Sequence, residues 1–277
     1  MLKTLIYVGK VRSIYLLDNN RLCIVASDRL SSFDKHICNI KHKGNLLNLI
    51  SAYWFEKTAH IISNHMLSID GPEMIVKQCT PFKIEVVVRG YITGNTETSL
   101  WTHYNRGIRN YCGIDFPEGL KKNQKLECAV VTPTTKDISD VPISKIDIVE
   151  NGYMTNDECD YVYEKAVKLF EYGQMMADKA GFILVDTKYE FGKDVEGNIL
   201  LIDELHTCDS SRYWVKETYI ERFENNLEPE KIDKDCIRDW VKSKCNPYED
   251  TIPEIPIELI EKTKNIYKYF FEKITQT

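Results

Sequence analysis

The 277-residue sequence predicts an α+β fold. Strand-like runs come in hairpins, long amphipathic helices separate the groups of strands, and the two do not alternate strictly as they would around a doubly wound parallel sheet. The apolar fraction of 43% is enough for a substantial core in one large domain or two lobes.

Residues 3–27 read as a β-hairpin, with "TLIYVGKVRSIYLL" and "RLCIVAS" joined by the turn "DNN". "GNLLNLISAYWFEKTAHIISNHML" has helical spacing, with Leu46, Leu49, Ile50, Tyr53 and Trp54 forming its stripe. A second strand group covers "MIVKQC" and "FKIEVVVRGYIT", and residues 95–150 are loop-rich, punctuated by "PEG", "TPTTKD" and "SDVPIS". Thr155 followed by Glu158 forms a capping box before "CDYVYEKAVKLFEYGQMMADKA", and Gly181 is placed to end that helix. "ILVDTKYEFGKDVEGNILLIDELHTCDSSRYW" follows, then helical segments around "DKDCIRDWVKSKC" and "PIELIEKTKNIYKYFFEKI".

The nine cysteines are odd in number, scattered, and without C-x-x-C spacing, which argues for free thiols in the cytoplasm rather than disulfides or zinc. No apolar run reaches membrane-span length, and the N-terminus passes into a strand pattern rather than a signal peptide. A net charge of −6 disfavours nucleic acid as the main partner. Oligomeric state is not legible.

The chemistry concentrates in the acidic hairpin. Alternation puts Asp186, Lys188 and Glu190 on one strand face and Val185, Thr187, Tyr189 and Phe191 on the other. If Asp194 opposes Ile199, then Glu190 opposes Asp203, and a one-residue slip brings Glu204 to that face instead. Facing carboxylates repel unless a cation lies between them. Mg²⁺ with phosphate oxygens meets that need, while a solvated polar face with Lys188 as internal counter-ion is the alternative. Gly9 and Lys10 interrupt strand-like sequence, Arg89 ends an apolar strand, and "TPTTKD" and "DSSRYW" gather anion-binding side chains that equally suit turns and helix caps.

Taken together, "GKVRSIYLL", "IVASDRLSSFD", "IEVVVRGYITG", "TPTTKD", "LVDTKYEFG" and "LLIDELHTCDSSRYW" resemble the SAICAR synthetase family almost end to end. "LVDTKYEFG" fits the family's D-x-K-x-E-F-G signature at every position, and the layout is most similar to the plant-like branch. The resemblance implies a two-lobed fold, with an antiparallel β nucleotide lobe over residues 1–80, a larger α+β lobe over 81–277, and ATP between them. It implies an ATP-dependent ligase of purine biosynthesis that joins L-aspartate to carboxyaminoimidazole ribonucleotide (CAIR), with Mg²⁺, through an acyl phosphate.

By position, the resemblance makes Glu190 and Asp203 the Mg²⁺ carboxylates and Lys188 the nucleotide-side lysine. Gly9, Lys10, Val11 and Arg12 become the loop over ATP. Arg89, Asp209, Ser211 and Arg212 become CAIR-side residues, and Lys136, Asp137 and Asp140 border the substrates. Asn95 stands where the family has serine, so Ser99 is expected to supply the hydroxyl, and Ser139 replaces a common histidine. An inositol polyphosphate kinase is disfavoured by Phe182 and Glu190, which replace its proline and glycine. A non-catalytic nucleotide-binding protein is the other alternative.

Overall fold

A computed structural model describes residues 3–18, 20–33, 35–136, 140–232 and 235–277. Asp137 and Ser139 lie outside the described residues.

Strands β1 (Thr4–Val8), β2 (Arg12–Leu16) and β3 (Arg21–Ala26) make a three-stranded meander where a single hairpin was expected. The break falls at Gly9, whose N–H donates to the Arg12 carbonyl at 2.7 Å, so Gly9 and Lys10 form a turn between strands. A separate hairpin of β4 (Arg29–Ser32) and β5 (Lys35–Asn39) precedes helix α1 (Lys43–Lys57). This helix is buried on more than one face, by Leu47, Ile50, Trp54 and Phe55, so the expected stripe accounts for only part of its packing.

The sequence pattern extended α1 to residue 67, but the helix stops at Lys57, where the Thr58 hydroxyl donates to the Trp54 carbonyl at 2.7 Å. Its expected last turn is instead the start of β6 (Met66–Asp70), which pairs antiparallel with β7 (Glu73–Lys77). Cross-strand partners thus override helical apolar spacing there. The five strands run in the order β1-β2-β3-β7-β6.

Strands β8 (Thr80–Pro81) and β9 (Ile84–Ile92) open the second sheet. The loop-rich stretch contains α2 (Leu100–Asn105), the small ladder β10 (Asn110–Tyr111) and β11 (Ile114–Asp115), β12 (Gln124–Val131), β13 (Thr134–Thr135) and α3 (Lys145–Glu150). After α4 (Asn156–Lys179) come β14 (Phe182–Lys193), β15 (Ile199–Ile202) and β16 (Ser211–Val215), then α5 (Lys216–Glu224), α6 (Asp235–Lys244) and α7 (Ile257–Thr275). The sheet order is β12-β9-β14-β15, with β13 on β9 and with β8 and β16 on β14. β12 escaped the sequence reading because "QKLECAVV" opens with polar residues and shows no sustained apolar run.

The capping box of α4 is present, with Glu158 N–H donating to the Thr155 hydroxyl at 3.2 Å and Thr155 N–H to the Glu158 carboxylate at 2.8 Å. Val162, Ala166, Leu169, Phe170 and Ala177 of this helix enter the main core together with Val86, Val88 and Leu184 of β9 and β14. Gly173 allows the approach: a Cβ there would lie 2.4 Å from His206 Cε1 and 2.8 Å from Leu184 Cδ2. Gly173→Ala should therefore destabilise the protein by about 1–3 kcal/mol despite alanine's better helix propensity, a loss measurable by urea unfolding.

The last two helices close the fold onto its first elements. Ile237 and Val241 of α6 pack with Leu30 and Phe33 of the β4–β5 hairpin, and α7 places Tyr267, Phe270 and Ile274 in the main core. All nine cysteines are free thiols, and among the described residues no helix is long and apolar enough to cross a membrane.

Candidate active site

A cleft of about 760 Å³ lies between the two sheets. Ile14, Leu22, Ile24, Val76 and Ile202 supply apolar walls, and the turn from Gly9 to Arg12 borders it. Glu85, Lys136, Asp140, Lys188, Glu190 and Asp203 line its ionic part.

Lys188 is the hub of that part. Its Nζ lies 2.9 Å from Glu85, 3.0 Å from Glu190 and 4.0 Å from Asp203. Burial works to lower the Lys188 pKa, yet Glu190, Asp203 and Glu85 outweigh it and hold the ammonium well above its ordinary value. Lys136 pairs with the other oxygen of Glu190. Burial would raise the Glu190 carboxyl, but Lys188 and Lys136 hold it lowered and ionised. Arg12 reaches in from β2, 3.1 Å from Asp203 and 2.8 Å from Glu204, and these two anions keep its guanidinium charged against the cost of burial.

The hairpin register differs by one residue from the expected pairing. Glu190 opposes Ile202, and Lys193 opposes Ile199, so Asp203 is not a ladder partner of Glu190. Asp203 reaches the cleft because the chain turns there with φ 68°, a left-handed conformation just past the strand end. Glu204 instead faces Arg12 and accepts a hydrogen bond from the Thr207 hydroxyl.

Two residues before Lys188 on the same strand face, Asp186 opposes Arg89 of β9 and Arg212 of β16. Its Oδ2 lies 3.3 Å from Arg89 and 2.6 Å from Arg212, and Arg89 Nε also donates to the Thr132 hydroxyl at 2.8 Å. One carboxylate therefore orients two guanidinium groups. A narrow pocket beside Arg212 is lined by Thr93, Asn95, Trp214, Lys231 and Lys242 among others.

The chain's kinship is as specific as this geometry. The family model described as SAICAR synthetase matches residues 5–255. The chain belongs to the SAICAR synthetase family. Phosphoribosylaminoimidazole-succinocarboxamide synthase of Arabidopsis thaliana, a chloroplastic protein, is 52% identical over 270 residues, covering 96% of this chain and 66% of that one. This chain thus spans just under two thirds of that relative. The SAICAR synthase of Saccharomyces cerevisiae, solved with SAICAR, superposes with a TM-score of 0.85 at 29% identity, covering 99% of this chain and 95% of that one. A type-2 SAICAR synthetase solved with ADP gives a TM-score of 0.74 at 26% identity, over 98% and 97% of the two chains. These neighbours share the mixed α+β architecture with antiparallel sheets.

Within this SAICAR synthetase fold, Gly9, Lys10, Val11, Arg12, Lys136, Asp140, Lys188, Glu190 and Asp203 come together in the one cleft. Arg89 and Arg212 meet on Asp186, while the Ser211 hydroxyl lies 2.7 Å from that of Thr187. Two of the expected substrate residues have partners within the fold. Ser99 is the N-cap of α2: its hydroxyl accepts from Thr102 N–H, donates to the Thr96 carbonyl at 2.8 Å, and leaves Asn95 as the residue lining the pocket beside Arg212. Asp209 faces the interior, where Lys43 Nζ and the Tyr267 hydroxyl each approach it at 2.5 Å, so its carboxylate anchors the fold.

The sequence reading missed Glu85 and His65, and weighed Glu204 only as the residue that a one-residue slip would bring to the acidic face. Glu85 carried a signal, an acid alternating with Ile84, Val86 and Val88, whereas the place of His65 depends on the missed strand β6. Among the described residues no group of three or more His, Cys, Asp or Glu side chains forms a metal cage.

Proposed function

We propose that this chain joins L-aspartate to the carboxylate of CAIR at the expense of ATP, giving SAICAR, ADP and phosphate. The observation that carries the reading is the single face of β14, which presents Asp186 with its two arginines, then Lys188, then Glu190 along the cleft. Both reactants are anionic, and this face supplies cations beside each. Family membership and the neighbours bearing SAICAR and ADP support the same assignment.

A nucleotide fits with its base between the apolar walls of the 1–80 lobe and its phosphates toward Lys188, beneath the Gly9–Arg12 turn. Arg89 and Arg212, oriented by Asp186, hold the ribonucleotide. A CAIR carboxylate oxygen attacks the γ-phosphorus, the bond to ADP breaks, and an acyl phosphate forms. The aspartate amine then attacks the acyl carbon, phosphate leaves with the electron pair of the broken C–O bond, and the amine surrenders a proton. Glu190 and Asp203 would hold Mg²⁺, since both carboxylates converge on the Lys188 ammonium and one or two carboxylates beside substrate phosphates is the donor set magnesium favours. When bound, the metal offsets repulsion between polyphosphate and carboxylate. The nine free thiols support a reducing compartment, the cytoplasm in this reading.

The test is ADP release with Mg²⁺, ATP, CAIR and L-aspartate, each omitted in turn, with the product identified by mass. Turnover that requires all four and yields the succinocarboxamide is expected; ATP binding without ligation would overturn the assignment. Arg212→Lys should raise the KM for CAIR about tenfold and leave that for ATP unchanged, because a point charge cannot replace a guanidinium fork. An unchanged CAIR KM would remove Arg212 from the substrate site.

A further inference from the structure

The narrow pocket beside Arg212 has no role in the mechanism above. Lys231, Arg238 and Lys242 join Arg212 around it, four cations against the two carboxylates of Glu228 and Asp239. Glu228 is moreover drawn off by Lys122, which lies outside the pocket. CAIR has two anionic ends. Phosphoryl transfer fixes its carboxylate near Lys188, and Arg212 stands opposite Asp186, one strand repeat of about 7 Å away along β14. The 5′-phosphate is the end left for the cationic pocket.

Two of these cations share a single support. Arg238 and Lys242 are one turn apart on α6, and both approach the ring of Phe33: Arg238 Cζ lies 5.6 Å from its centroid and Lys242 Nζ 5.8 Å. Among the described residues no carboxylate pairs with Lys242, so the ring is the contact that places it. Phe33 joins β4 to β5 with φ 54°, a left-handed conformation that a bulky side chain keeps only where its surroundings enforce it. Tyr248 stands edge-on to the ring at 5.7 Å, and Leu30, Ile237 and Val241 share its apolar cluster. An aliphatic side chain would serve that packing, whereas holding two cations requires an aromatic face.

We propose that α6 supplies the cationic wall of the pocket for the CAIR 5′-phosphate, and that Phe33 is the positioning residue that holds Arg238 and Lys242 toward it. The inference rests on the reading that CAIR is the substrate. Neither α6 nor the β4–β5 hairpin carries a group that takes part in the chemical step, so their effect falls on CAIR affinity.

Calorimetric binding of CAIR and of its dephosphorylated ribonucleoside to the full chain, with ADP and Mg²⁺ present so that nothing turns over, tests this. Wild type should bind CAIR at least about tenfold more tightly than the ribonucleoside. Phe33→Leu and Lys242→Gln should each weaken CAIR about fivefold, and the double variant should stay within about twofold of the weaker single one, because the ring acts through the lysine. Phe33→Tyr, which keeps the aromatic face, should bind CAIR as wild type does. Losses that multiply in the double variant, or a Phe33→Tyr as weak as Phe33→Leu, overturn the positioning role of Phe33. A Lys242→Gln protein of wild-type affinity overturns the α6 wall. Should Phe33→Leu not fold, Phe33→Met takes its place in the comparison. A wild type that binds both ligands equally overturns the phosphate pocket, whereas one that binds neither overturns the CAIR reading itself.

Discussion

Glu190→Gln is expected to lower kcat about a hundred- to a thousandfold and to raise the Mg²⁺ concentration needed for half-maximal rate. The substitution keeps size and hydrogen-bonding reach but removes a charge that the proposed mechanism needs beside the transferring phosphoryl group. Folding should suffer by no more than about 1–2 kcal/mol. Lys188 retains Glu85 at 2.9 Å and Asp203 at 4.0 Å, and Lys136 is 39% exposed, so water can take over part of its solvation. ADP release measured across a Mg²⁺ titration, beside urea unfolding of the same variant, separates the effects. Near-normal turnover at every Mg²⁺ concentration would remove Glu190 from the metal site.

Glu190 was legible because strand alternation is a local property. Asp186, Lys188 and Glu190 stand on one face of β14, as their spacing required, and the α4 capping box is equally local. Asp203 reached the cleft for a reason the spacing did not contain. The expected register paired it with Glu190, but the ladder is displaced by one and a non-glycine residue in the left-handed region redirects the chain. Only the surrounding tertiary structure holds a residue in that region, and no strand pattern announces it.

The misplaced end of α1 has the same origin, since apolar spacing continued through residues that find strand partners in β7. Ser99 and Asp209 each hold a place in the fold that residue type alone did not reveal. A serine before a short helix suits a cap as well as a substrate contact, and the cap is what its neighbours enforce. An acid beside anion-binding residues was expected in the site, yet its partners are a lysine 166 residues away and a tyrosine in the last helix.

That buried pair sets the second large expectation, on stability. Lys43 is fully buried at the start of α1, where its Nζ lies 2.5 Å from Asp209 and 3.2 Å from the Arg29 carbonyl, and the Tyr267 hydroxyl donates to the other Asp209 oxygen. Lys43→Met should cost about 3–5 kcal/mol, because it preserves apolar volume but leaves a buried carboxylate without its ammonium. Adding Asp209→Asn should restore part of the loss, since the carboxamide still accepts from Tyr267 and no longer carries charge. Denaturant unfolding of the two single variants and the double variant measures the coupling. The anchor also fixes the chain three residues before Arg212, so the single variant should raise the KM for CAIR more than that for ATP. A Lys43→Met protein of wild-type stability would mean that Asp209 is discharged or solvated, and that α1, the loop after β15 and α7 are held together by apolar packing alone.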